Sequence, residues 1–215
     1  FTDVVRISGQ DLIESISQCY GRDGIEETIV LCRSNKRAIV YNNGIRNTIL
    51  DREDELNRGE HLMIVKNNYY WTEHLAPEDR DSYLEYPSFI ANGDVAVVQR
   101  IRRSREMYGF RYVDVVLTFP DYDDIEMDVT LLLDTLHSES PSLTQQENER
   151  LFGNVMEDYI HIRSKKERMK QLRENQYYNA IQVKYAYAIT CHKAQGGQGK
   201  NVFIDQGYVP EGGRD

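Results

Sequence analysis

The sequence predicts a mixed α/β fold: a parallel-sheet domain interrupted by a small β-barrel and a helical segment. Three stretches predict it. Strand, helix, strand and helix patterns follow one another within the first 50 residues, the order of a parallel α/β layer. Between Arg58 and Leu133, short apolar runs recur at hairpin spacing, the pattern of a small barrel. From Tyr185 to Ile204, an apolar run breaks into a polar, Gly-rich turn and then restarts. Strand, polar loop, strand is how an α/β sheet presents a ligand-contacting loop at its carboxyl edge.

Taken in order, Val4–Ile7 reads as a short strand. Ser8 reads as the N-cap of a helix, with Asp11 reaching back and Leu12, Ile13, Ile16 and Tyr20 on one face. That helix ends near Gly21 to Gly24. Glu27–Cys32 is a continuous apolar strand, and Lys36–Leu50 a helix with Ala38, Ile39, Ile45 and Ile49 inward. After Asn57 the texture changes. Strands are predicted around Leu62–Val65, Val95–Ile101, Arg111–Phe119 and Met127–Leu133, with a hairpin tip at Tyr108-Gly109-Phe110. Ser138–Ser142 is a linker and Thr144–Gln176 a helical stretch. From Gln176 to Ile181 the chain is expected to return to the α/β domain.

Charge and composition bound the function. Of 215 residues, 35 are acidic and 26 basic, so the net charge of −9 counts against a non-specific nucleic-acid binder. Positive charge is local instead. Arg100, Arg102, Arg103 and Arg105 lie close together, and six basic residues fall between Arg163 and Arg173. Each run reads either as a solvated surface or as a phosphate-facing edge. Five acids between Asp121 and Asp128 read as a solvated turn rather than a metal site, having no His or Cys beside them. The acidic stretch from Glu73 to Glu85 is expected to be a loop. Tyr69, Tyr70 and Trp71 read as barrel core or as base-stacking groups. Three cysteines without metal-ligand spacing read as free thiols in a reducing compartment, and five scattered histidines form no ligand cluster. No metal site is expected. No apolar run approaches the roughly 20 residues of a membrane span. Phe1-Thr2-Asp3 lacks the form of a secretion signal, so a cytoplasmic location is expected, and the missing initiator Met is expected to mark a piece of a longer protein.

The sharpest stretch is Tyr187-Ala188-Ile189-Thr190-x-His192-Lys193-x-Gln195-Gly196. It resembles motif V of superfamily 1 helicases in their RecD-like form, similar to the exodeoxyribonuclease V alpha subunit. Ile29-Val30-Leu31-x-Arg33-x-Asn35-Lys36 resembles the strand and turn that open the second motor domain of that family. Gly59-Glu60-x-Leu62-Met63, Asn67-Asn68-Tyr69 and Asn92-Gly93-Asp94-x-Ala96-Val97-Val98 resemble its inserted SH3-like barrel. The resemblance implies an incomplete RecA-like motor domain over residues 1–57 and 179–215, an SH3-like barrel over 58–137 and a helical segment over 138–178. It implies that Thr190, His192 and Lys193 contact single-stranded DNA, joined by Arg33, Ser34 and Asn35 and, on the barrel side, by Asn68, Arg102 and Arg103. The Arg33–Asn35 turn also reads as a plain helix cap. Gln195, Gly196, Gly197 and Gln198 would shape the nucleotide cleft.

A motor needs a Gly-x-x-x-x-Gly-Lys-Ser/Thr loop, and the sequence has none. Gly197-Gln198-Gly199-Lys200-Asn201 lacks both the first Gly and the terminal hydroxyl residue. The expectation is therefore an ATP-dependent DNA helicase of DNA repair and recombination as the parent protein. ATP and Mg2+ would be bound by that parent and not stably by this chain, which would hold no catalytic residue. The partners expected are single-stranded DNA, an N-terminal motor domain and further exonuclease subunits, with no membrane. The alternative is a stand-alone SH3-like module binding protein or nucleic acid.

Overall fold

A computed structural model describes residues 3–75 and 83–207. The chain is mixed α/β and divides into two units, residues 1–55 with 186–215 and residues 56–185.

The first unit is built on three parallel strands in the order β7-β1-β8: β1 is Thr28–Cys32, β7 Ala188–Thr190 and β8 Asn201–Ile204. The central strand β1 pairs Cys32 with Thr190 on one side and Leu31 with Ile204 on the other. Helix α1 (Leu12–Asp23) buries Ile16, and its N-cap is Asp11 rather than Ser8, whose hydroxyl donates to the Asp11 carboxylate at 2.8 Å. Helix α2 (Asn35–Gly44) runs on into a wider π-helical turn over Ile45–Ile49. Its inner side is Ala38, Asn42, Ile45 and Arg46. The expected strand at Val4–Ile7 does not form. Those residues pair with nothing in the sheet, and Val4 and Val5 are each 75% exposed.

The second unit contains a closed five-stranded barrel of β2 (His61–Ile64), β3 (Val95–Met107), β4 (Phe110–Phe119), β5 (Ile125–Leu132) and β6 (Ile181–Tyr185). Leu62, Ile64, Ala96, Val98, Val115, Leu117, Leu131 and Val183 are fully buried. The β3–β4 hairpin turns on Tyr108 and Gly109, both at positive φ (57° and 79°), the primed geometry whose twist matches the strands it joins. Gln99 and Arg102 are the extra residues at two irregularities along β3.

Two expectations are corrected here. Ile181–Tyr185 does not return to the parallel sheet. It closes the barrel, antiparallel to β2 and parallel to β5, so the change of unit falls after Tyr185. The helical stretch is two helices, α4 (Gln145–Glu157) and α5 (Lys165–Arg173). Ser164 ends the intervening turn by accepting the Glu167 N–H, which starts a fresh helix. Both helices pack on the hairpin. Leu143, Leu151, Val155 and Leu172 form a second core with Phe110, Tyr112 and Leu132.

Candidate nucleic-acid interface

The parallel register of β7 on β1 sets Cys32 beside Thr190. The turn that follows β1 and the loop that follows β7 therefore leave the sheet at the same carboxyl edge, where open α/β sheets take their ligands. The β1 turn is Arg33-Ser34-Asn35-Lys36. The Ser34 hydroxyl caps α2 by accepting the Arg37 N–H at 3.2 Å, so Ser34 serves the helix. Arg33 and Lys36 remain exposed on either side of it, and Asn35 is half-buried. The N-terminus of α2 opens on this edge, which favours negative charge.

From β7, Thr190 is 3% exposed, and its hydroxyl lies 3.3 Å from Nε2 of His192. Thr190 thus steadies the imidazole, and it is His192 that stands in solvent. A tight turn covers Cys191–Ala194, and the Gly197 N–H donates to the Ala194 carbonyl at 3.0 Å. Gly196 sits at φ 81°, a conformation that any side chain would strain. Lys193 is half-buried, and that burial lowers its ammonium pKa below the usual lysine value. A desolvated cation is held less tightly by water and interacts more strongly with an anion beside it.

An ion pair orders the same edge. Arg37 meets Asp205 at 2.7 Å, just past β8, and lies 5.5 Å from the Tyr41 ring centroid. Burial opposes ionisation of Asp205, but the Gly207 N–H and Arg37, with Tyr41, outweigh it and hold the carboxyl below its usual range. Sequence reading missed Asp205. A lone acid after a strand has no signature until its partner on α2 is seen.

The four cleft residues do not stay together. The link from β7 to β8 crosses from one edge of the sheet to the other. Gln195 and Gly196 lie near the start of that crossing. At Gly199 an added Cβ would sit 3.3 Å from the Glu27 carbonyl, at the amino edge where β1 begins. Gln198 therefore belongs to that end. The donors left at the carboxyl edge, Lys193 and Gln195, can hydrogen-bond a sugar or a phosphate edge. Among the described residues no group of three or more His, Cys, Asp or Glu is arranged to hold a metal ion.

On the barrel, the expected contacts divide. Asn68 is buried. Its side-chain amide donates to the Asn179 carbonyl at 2.8 Å and accepts the Trp71 N–H, so both ends are engaged internally. Arg102 pairs with Asp128 at 2.9 Å in an exposed ion pair, and Arg105 is held by Asp114 and Tyr177. Arg103 is exposed. Tyr70 and Trp71 are not strand-end core. They lie on a short helix, α3 (Tyr70–Glu73), where Trp71 donates to the Asn179 carbonyl. Of the acidic stretch from Glu73 to Glu85, residues 76–82 lie outside the described residues. The Asp121–Asp124 segment is a tight turn with Asp123 and Asp124 at positive φ, which Asp tolerates better than most residues. No described helix is long and apolar enough to cross a membrane.

The chain matches no protein-family model and no curated protein, so the reading of this edge rests on its own residues.

Proposed function

We propose that the chain is part of an ATP-driven, RecD-like DNA helicase or translocase. In this reading the three-stranded unit belongs to a second RecA-like motor domain, and the barrel is its SH3-like insertion. One observation carries the proposal: β7 and β1 are parallel neighbours, so His192 and Lys193 share an edge with Arg33 and Lys36. Four cationic or imidazole groups and a helix N-terminus at one edge, in a chain of net charge −9, form a local anion site suited to a phosphate backbone. Thr190 sets the imidazole, His192 and Arg33 grip the strand, and Gln195 and Gly196 begin the crossing that carries movement away from that grip. A loop anchored at both sheet edges shifts its contacts when either edge is disturbed, which is what coupling to ATP hydrolysis elsewhere in a motor needs.

The test is fluorescence anisotropy of a labelled single-stranded oligonucleotide at two salt concentrations. A Thr190→Ala, His192→Ala double variant should bind about tenfold more weakly, the scale of one or two lost polar contacts. Unchanged binding would remove the loop from the interface.

A stand-alone binding module is the second reading. A groove of about 840 Å3 on the barrel, bordered by Arg58, Trp71, Arg100 and Met127, favours it. A Trp71→Ala variant that abolishes all ligand binding while the loop variant changes none would select this reading.

A further inference from the structure

Helix α5 has a charge arrangement that its own stability does not explain. Lys166, Lys170 and Arg173 recur at i, i+4 and i+7, and all three are exposed. They form one exposed row along the helix, flanking the face on which Met169 and Leu172 enter the second core. Like charges at this spacing repel. Lys165 and Lys166 sit in the first turn, where the helix dipole disfavours cations, whereas Lys170 and Arg173 sit in the last turn, where it favours them. No ion pair relieves the row among the described residues, although the chain has nine more acids than bases. Glu167 is occupied instead by the Gln171 side-chain amide, at 3.3 Å. A row of exposed like charges that makes no ion pair within an acidic chain is a surface suited to an anionic partner.

We infer that the exposed face of α5 binds the phosphate backbone of a nucleic-acid strand. Charge complementarity selects a polyanion, and the neighbouring aromatics select a nucleic acid among polyanions. The Asn179 side chain ties the turn after α5 to the Arg173 carbonyl at 3.0 Å. That turn exposes Tyr178, packed edge-on against Phe152 of α4 with ring centroids 6.4 Å apart. The two rings are 36% and 39% exposed, beside the end of the cation row, and offer a stacking surface for an unpaired base. The inference extends the proposed function to a second surface, on the barrel unit, and does not require the β7 loop to touch DNA.

The experiment measures the salt dependence of single-stranded oligonucleotide binding for four proteins. They are the unaltered chain, a Lys166→Gln, Lys170→Gln, Arg173→Gln variant, the charge-retaining Lys166→Arg, Lys170→Arg variant, and the Thr190→Ala, His192→Ala loop variant. Each neutralised phosphate contributes about 0.7 to the slope of log K against log salt. The triple Gln variant should therefore lose about 2 from that slope and bind at least tenfold more weakly at low salt. Its melting temperature should stay level, because the lost repulsion and the lost charge–dipole attraction at the last turn are of similar size. The Arg variant should bind like the unaltered chain. An unchanged slope and affinity in the triple Gln variant overturns the inference; if the loop variant alone weakens, the motor reading survives without it. Loss of binding to anionic phospholipid vesicles with unchanged oligonucleotide binding overturns it in favour of a membrane surface.

Discussion

Asn42 does for β7 what a neighbouring strand would otherwise do. Its buried amide donates to the Ala188 carbonyl at 2.9 Å and accepts the Ala188 N–H at 2.8 Å, which closes the outer edge of the sheet just before the candidate loop. Each buried backbone group left without a partner costs about 1–3 kcal/mol. Asn42→Ala should therefore destabilise the chain by about 2–4 kcal/mol in urea unfolding; a loss below 1 kcal/mol would show that water replaces the amide. Lys184 is a second buried polar anchor. Its ammonium donates to the Thr135 and Ser138 carbonyls, and burial pushes its pKa down to about 8. The folded chain thus releases this proton earlier than the unfolded chain. Between about 8 and the ordinary value of 10.5, the unfolded state holds more protons, so the Lys184 contribution to stability rises with pH. Comparing the unaltered chain with Lys184→Met over that window isolates the effect: the unaltered chain should show the more positive slope of stability against pH. Neither residue was legible in the sequence. An Asn on a helix face and a Lys in a strand look like surface residues until their backbone partners are known. Asn68, expected as a DNA contact from the barrel resemblance, is buried with its side chain bonded to Asn179 and Trp71, an environment that the sequence does not display.

Among the elements, the strands with clear apolar runs were legible: β1, β4 and β5 lie within two residues of their expected bounds. β3 was legible only in its first half, because four arginines mask its continuation to Met107. Helix α4 announces its own start. The Thr144 hydroxyl accepts the Glu147 N–H while the Glu147 carboxylate accepts the Thr144 N–H, a reciprocal cap. Thr144→Ala should cost about 1 kcal/mol, read as a lower urea midpoint with the unfolding slope unchanged. The break between α4 and α5 was missed because apolar spacing continues through Tyr159 and Ile162. The Ser164 cap and the Arg168 guanidinium, which donates to the Ile162 carbonyl at 2.7 Å, fix the turn instead.

At the scale of the whole molecule, mixed α/β architecture with an inserted barrel was readable from the order of patterns, but the return point was not. A short apolar run such as Ile181–Tyr185 fits a barrel or a parallel sheet equally well, and only its pairing with β2 and β5 decides. The consequence is direct. A fragment spanning 56–185 should fold alone, with dispersed amide resonances and a cooperative melt. A fragment ending at 178 lacks the closing strand, the Val183–Thr135 hydrogen bonds and Lys184, and should not. Cooperative folding of the shorter piece would contradict the barrel closure described here.

In the proposed function, two loops at one sheet edge, residues 33–37 and 190–197, hold a single strand of DNA. Hydrogen–deuterium exchange with and without a saturating single-stranded oligonucleotide tests it most directly. Exchange should slow in both segments together, with the amino-edge turn around Gly199 unaffected. Oligonucleotide binding that leaves both segments unprotected, or no binding at millimolar oligonucleotide, would contradict it.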